Sequence, residues 1–169
     1  MQRIVTLDTE TTGLSPRMGH RIIEIGAVEI VDGQITGREF HTYLQPGRTV
    51  DPRAFQVHGI SDAKLRGQPA FAAKARGLLD FIGGAEVVIH NAPFDTGFLD
   101  HELGLWDGRS RLRDYCSVTC SLKLARVRYP GMPNKLDDLL GRMGIAAARG
   151  LHGALLDAQL LAQVLLKLR

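Results

Sequence analysis

The sequence predicts an α/β domain built on a mixed sheet, and three observations predict it. Residues 1–44 hold three β-prone runs, the last two joined by an Asp32-Gly33 hairpin signal. Beyond them, apolar residues at helical spacing alternate with a further short apolar run, as in helix–strand units. The remaining third of the chain reads mainly as helices. No internal repeat, low-complexity tract or linker interrupts this order, so residues 1–169 are expected to form one domain.

Composition sets the broad class. Of 169 residues, 44% are hydrophobic and 23% charged, an ordinary profile for a soluble globular chain. The net charge of +3 permits a polyanionic partner without demanding one. No basic run is present, so contacts to nucleic acid are expected from scattered Arg and Lys. No apolar stretch approaches the roughly 20 residues of a membrane span. Met1-Gln2-Arg3 runs straight into the first strand and leaves no room for a signal peptide. Cys116 and Cys120 fit no zinc pattern and are expected as buried thiols in a reducing cytoplasm.

The elements follow in order. Ile4, Val5 and Leu7 suit a buried strand that ends in Asp8-Thr9-Glu10-Thr11-Thr12-Gly13. Residues 13–19 form a Gly/Pro loop. Residues 21–31 are a second strand, and a third is expected at 38–44, stopping before Pro46. Residues 47–69 look irregular, with a Ser61-Asp62 capping signal. Phe71, Ala75, Leu78, Leu79 and Ile82 recur at helical spacing, and Gly83-Gly84 stops that helix. Residues 86–90 form a short strand that can lie parallel to the first. Pro93 suits the first turn of a helix carrying Asp95, Phe98, Leu99 and Glu102. Residues 114–116 are expected as a last short strand and 117–128 as a helix. Asn134 is expected to cap a helix through Met143, and an apolar helix closes the chain at Leu168.

The chemistry starts at the end of the first strand. Side chains alternate there, so Asp8 and Glu10 share one side and Thr9 takes the other. Two adjacent carboxylates at a buried strand end repel each other and resist desolvation. Either they are simply solvated or a divalent cation lies between them. Asp95, in a first helical turn, either answers the helix dipole or joins that site. His152 and Asp157 are five residues apart, about 140° around a regular helix. To serve one site, His152 must sit on the loop before the last helix, and Gly150 and Gly153 permit that. Asp8, Glu10, Asp95 and Asp157 can then hold two Mg²⁺ or Mn²⁺ ions, with His152 accepting a proton from water. Hydrolysis of a phosphodiester uses all five residues. No Gly-rich nucleotide loop, nucleophile elbow or zinc-protease helix competes.

Three blocks carry a family resemblance: Asp8-Thr9-Glu10-Thr11-Thr12-Gly13-Leu14, Asn91-Ala92-Pro93-Phe94-Asp95, and His152-Gly153-Ala154-Leu155-Leu156-Asp157. In this order the chain resembles the DEDD-type 3′–5′ exonucleases of the histidine-bearing subclass. The stretches Ile22-Ile23-Glu24-Ile25-Gly26, Val57-His58-Gly59-Ile60 and Val88-Ile89-His90-Asn91 narrow the resemblance to the proofreading subunits of bacterial replicative polymerases. The resemblance implies a ribonuclease-H-like fold, two divalent metals and removal of nucleotides from single-stranded DNA 3′ ends. It implies that Asp8, Glu10, Asp95 and Asp157 are metal ligands, with Asp8 bridging, and that His152 is the general base. Thr11, Gly13, Leu14, His58, Asn91 and Phe94 are implied as substrate contacts; from the residues alone, His58 reads as structural or exposed. It also implies a DNA polymerase catalytic subunit as partner. Replicative members continue into a tail that grips polymerase and clamp; the sequence stops at Arg169, so either an excised catalytic domain or a short relative that acts alone or is recruited differently is expected.

Two other functions compete with DNA proofreading. One keeps the chemistry and trims or degrades short RNA. The other is a non-catalytic brace for a polymerase, which predicts that acids or the histidine are missing; all five are present.

Overall fold

The computed structural model describes residues 1–147 and 150–169. Three antiparallel strands open the chain: β1 (Arg3–Thr11), β2 (Ile22–Val31) and β3 (Gln34–Tyr43). Two short helices follow, α1 (Pro52–His58) and α2 (Asp62–Leu65), and then α3 (Phe71–Ile82). β4 (Glu86–Ile89), α4 (Ala92–Asp107), β5 (Ser117–Cys120) and α5 (Ser121–Arg128) alternate after it. α6 (Leu136–Arg142) and α7 (Ala154–Leu168) complete the described elements. The sheet order is β3-β2-β1-β4-β5, with β4 parallel to β1 and β5 parallel to β4. This is the mixed sheet the sequence predicts.

Alternation along β1 divides the molecule into two layers. Val5 and Leu7 join Ile25, Ala27, Val87 and Ile89 in a core closed by α3 and α4. Ile4 joins Val28, Ile30 and Val88 in a core closed by Ala158, Ala162 and Leu165 of α7. The Thr6 hydroxyl faces the second layer and donates to the Ala158 carbonyl at 2.8 Å. Asp8 and Glu10 continue the Ile4–Thr6 face, and Thr9 continues the other. β1 is thus central in the sheet, and its far end carries acids between two helical layers.

Four expectations are corrected. β3 begins at Gln34, not 38, because the two-residue hairpin starts pairing at once, Val31 opposite Gln34. Those first residues are exposed, and only Ile35 among them is apolar, so no apolar run marks them. Residues 47–69 are not irregular throughout: Pro52 starts α1 and Gly59, at φ 66°, ends it. Residues 114–116 are not a strand; Leu112–Asp114 is a 3-10 turn, and the Asp114 carboxylate accepts the Arg111 N–H at 2.9 Å. The strand is Ser117–Cys120, whose Val118 and Thr119 favour β structure, and the helix therefore starts at Ser121. Asn134 does not cap α6. Lys135 occupies that position, its N–H donating to Asp138 at 2.9 Å. Asn134 instead spends its amide on the Tyr129 and Met132 carbonyls.

Candidate active site

The far end of β1 meets the starts of α4 and α7, which carry the remaining predicted acids. α4 starts from Asn91, which adopts the left-handed conformation at φ 66°, uncommon outside glycine. Asp95 lies in the first turn and is buried. The Thr9 hydroxyl donates to Asp95 Oδ1 at 2.6 Å and the Thr9 N–H does so at 3.2 Å. The residue between the two β1 acids thus ties α4 to the strand from the opposite layer. Burial still wins over these bonds and pushes the Asp95 carboxyl up to about 7.

Asp8 is the most constrained of the acids. Among the described residues, its enclosed Oδ2 has no hydrogen-bond partner. Burial, then repulsion from Asp95, Glu10 and Glu24, holds its carboxyl well above the ordinary carboxylate range. The four predicted acids divide into two groups. Asp8 feels Asp95 and Glu10. Glu10, His152 and Asp157 each offer a ligand atom, all within 4.8 Å of one another.

His152 lies just before α7, on the loop, as its spacing from Asp157 requires. Its backbone N–H donates to the Val57 carbonyl at 2.9 Å, which fastens that loop to α1. Its ring Nδ1 lies 3.7 Å from Asp157 Oδ2, with the imidazole side chain 41% exposed. Oxygen-rich acids in a pocket that disfavours their charge, one with an orphaned buried oxygen, match what a hard divalent cation accepts. Glu10, His152 and Asp157 bring ligand atoms together, and Asp8 adds the enclosed, unpartnered oxygen beside them.

Two cavities flank the acids. One, of ≈ 590 Å³, is lined by Asp8, His152 and Asp157 together with Asn91, Arg126, Lys135, Asp137 and Asp138, among others. The second, of ≈ 580 Å³, is lined by Glu10, Thr11, Gly13, Leu14, Val57 and Phe94, among others, and is mainly apolar. Both have the volume of a small-ligand pocket. Leu14 projects into the second cavity's mouth, 83% exposed. The Thr11 hydroxyl donates to the Gly13 carbonyl at 2.6 Å and stiffens this turn. Of the residues the resemblance names as substrate contacts, five therefore line one cavity or the other.

His58 does not. It is buried behind the turn, with both ring nitrogens engaged by backbone. Nδ1 accepts the Ile60 N–H at 3.0 Å, which puts the proton on Nε2, the donor to the Thr11 carbonyl at 3.0 Å. Burial lowers its pKa and favours that neutral form. The structure thus places His58 behind the turn, outside the lining of both cavities.

Several site residues had no signal strong enough to select them. Strand alternation gives Thr9 a side but does not identify Asp95 as its partner. His20 packs so closely on Gly13 that a Cβ there would lie 2.3 Å from its ring, and it bonds Thr12 Oγ1 at 2.9 Å. His90 bridges Ser121 Oγ at 2.9 Å and the Asn134 carbonyl at 2.7 Å, and so holds the wall carrying Lys135. Each acquires its role from distant segments, which its neighbours in sequence do not announce.

Comparison with known proteins agrees with this architecture. Residues 5–165 match the exonuclease family. The chain is 52% identical to the DNA polymerase III subunit epsilon of Escherichia coli (strain K12) over 170 residues, covering 97% of this chain and 70% of that protein. The Rickettsia felis subunit epsilon is 46% identical over 168 residues, covering 98% and 73%. Among solved structures, exonuclease X in complex with 5′ overhanging duplex DNA superposes with a TM-score of 0.76 at 26% identity, covering 98% of this chain and 90% of that one. The chain belongs to the exonuclease family, in the branch that contains the epsilon subunits of bacterial DNA polymerase III.

Proposed function

We propose that this protein is a metal-dependent 3′–5′ DNA exonuclease that proofreads, releasing nucleoside 5′-monophosphates. The observation that carries the proposal is the position of the acids on the seam between two cavities. Glu10 borders the apolar cavity, and Asp8 and Asp157 border the one with Arg126 and Lys135. A strand laid across the seam places its 3′-terminal nucleotide in the apolar cavity and the rest of the chain in the neighbouring one, where Arg126 and Lys135 can meet its phosphates although Asp137 and Asp138 share that lining. The scissile phosphate then lies over the carboxylates.

In this proposal Asp8, Glu10, Asp95 and Asp157 hold two Mg²⁺ or Mn²⁺ ions. Such a pair, when bound, activates water and stabilises charge on the attacking and leaving oxygens. The chain's own residues do the rest. Thr11, Gly13, Leu14 and Phe94 orient the terminal sugar and base, while Asn91 borders the neighbouring cavity. His152, half exposed beside Asp157, accepts the proton from the attacking water. Thr9 holds Asp95 in place through two hydrogen bonds. Selectivity for mismatched ends follows because a paired terminus must first unpair, at about a few kcal/mol.

Identity of 52% with a DNA polymerase III subunit favours DNA as substrate, a polymerase catalytic subunit as partner and the cytoplasm as location. Among the described residues no helix is long and apolar enough to cross a membrane. The test digests matched single-stranded DNA and RNA oligonucleotides with Mg²⁺, Mn²⁺ or chelator. We expect 5′-monophosphates from DNA, none with chelator, and a loss of about a thousandfold or more in Asp8→Ala. Faster digestion of RNA overturns the substrate assignment, and wild-type turnover in Asp8→Ala overturns the site.

A further inference from the structure

Glu24 is not among the proposed metal ligands, yet it is buried, 3% exposed. On β2 it lies directly opposite Glu10, so the two side chains leave the same face of the sheet. Both of its oxygens are engaged. Oε1 accepts the Ala154 backbone N–H at 2.8 Å, and Oε2 lies 2.7 Å from His41 Nε2. Ala154 is the first residue of α7, and a helix start leaves such an N–H without a partner inside the helix. Gly153, at the cap position, has no side chain to satisfy it. Gly26, on the same face of β2, makes room for the same helix. A Cβ there would lie 2.3 Å from the Leu155 nitrogen. β2 therefore seats the start of α7 with one hydrogen bond and one missing methyl group. His152 and Asp157 flank that start on either side, and both meet Glu10.

We propose that Glu24 is a positioning residue: by accepting the Ala154 N–H it fixes the start of α7, and with it the placement of His152 and Asp157 against Glu10. Only the kinetic part of this proposal rests on the exonuclease reading. The rival role for Glu24 is electrostatic, since its charge is also felt at Asp8. Two conservative variants separate the roles. Glu24→Gln keeps the reach and the acceptor oxygen but removes the charge. Glu24→Asp keeps the charge but withdraws the carboxylate by about 1.5 Å, one carbon–carbon bond.

The experiment measures three quantities for both variants: amide hydrogen exchange of residues 154–157 in metal-free protein, Mn²⁺ affinity by calorimetry, and kcat and KM on a single-stranded DNA oligonucleotide. A lost hydrogen bond to a charged group corresponds to about tenfold to hundredfold. In Glu24→Asp we expect exchange about tenfold faster, Mn²⁺ binding about tenfold weaker and kcat down by at least that factor, with KM within about twofold. Glu24→Gln should stay within about threefold of wild type in all three. The reverse pattern overturns the proposal in favour of charge, and wild-type exchange and Mn²⁺ affinity in both variants overturns it outright. A chain that degraded no nucleic acid would sink the exonuclease reading, yet exchange and Mn²⁺ binding would still decide the role of Glu24.

Discussion

Asp8 is held in a position that costs stability. Its Oδ2 is enclosed without a partner among the described residues, and burial and neighbouring acids oppose its charge. Function and stability should therefore separate at this residue. Asp8→Asn removes the charge while preserving shape. Metal-free Asp8→Asn should melt above the wild type at pH 8, by about 2–4 °C for each kcal/mol of repulsion relieved. The same variant should lose exonuclease activity. Calorimetry in chelator beside a digestion assay checks both, and an unchanged or lower melting temperature would show that Asp8 is not strained. His58 presents the opposite case, with both nitrogens satisfied and its proton fixed on Nε2. Replacing it by Ala leaves the Ile60 N–H and Thr11 carbonyl without their partners, at about 1–3 kcal/mol. The Thr11 turn then loosens, so KM should rise more than kcat falls in steady-state assays of His58→Ala.

Elements place these residues, and the β2–α7 contact is the tightest of the placements. Gly26→Ala forces a methyl group against the Leu155 backbone, which has no flexible side chain to yield. The helix must move, so the variant should be destabilised by about 1–3 kcal/mol or more and lose kcat. Denaturant unfolding beside turnover tests this, and a fully active, equally stable Gly26→Ala would refute the close approach. This contact also marks the limit of what the sequence discloses. The acids on β1 were legible because strand alternation puts Asp8 and Glu10 on one side, and His152 was legible as a loop residue from helical geometry. The α1 helix was missed although Pro52 and Gly59 bracket it, because a helix of seven residues is too short to develop apolar periodicity. The shift from 114–116 to Ser117–Cys120 arises because Val118 falls by coincidence at helical spacing from Leu122 and Ala125 of α5, while pairing with β4 decides its conformation. Glu24 was legible only as a polar residue in an apolar strand. Its partner, Ala154, lies 130 residues away and is a backbone group, which no side-chain pattern announces.

At the scale of the whole molecule, the fold brings like charges together and leaves a bound cation to offset them. The sign of the pH dependence follows. Asp95 holds its proton up to about 7 in the fold, against an ordinary carboxylate value of about 3.9, and Asp8 shifts the same way. Such groups favour the fold fully below the unfolded value, and the benefit is lost as pH rises through the folded value. Through Asp95, metal-free protein loses stability between about pH 4 and about pH 7, and Asp8 adds in the same direction. His58 and His90, whose pKa values burial lowers, act oppositely. Their contribution is present above about pH 6.5 and is lost as pH falls through their folded values. A melting curve in chelator alone therefore mixes opposed terms. The difference between melts with Mn²⁺ and with chelator removes His58 and His90, because neither ring is placed to meet the cation: backbone or Ser121 occupies every ring nitrogen. His152, beside Glu10 and Asp157, stays in it and adds in the same direction, since it must be neutral to bind. Cation binding requires ionised carboxylates, so that difference should grow from pH 5 to pH 7 and level off above. A difference that stayed constant across this range would mean that Asp8 and Asp95 do not take the cation, whatever the enzyme's activity.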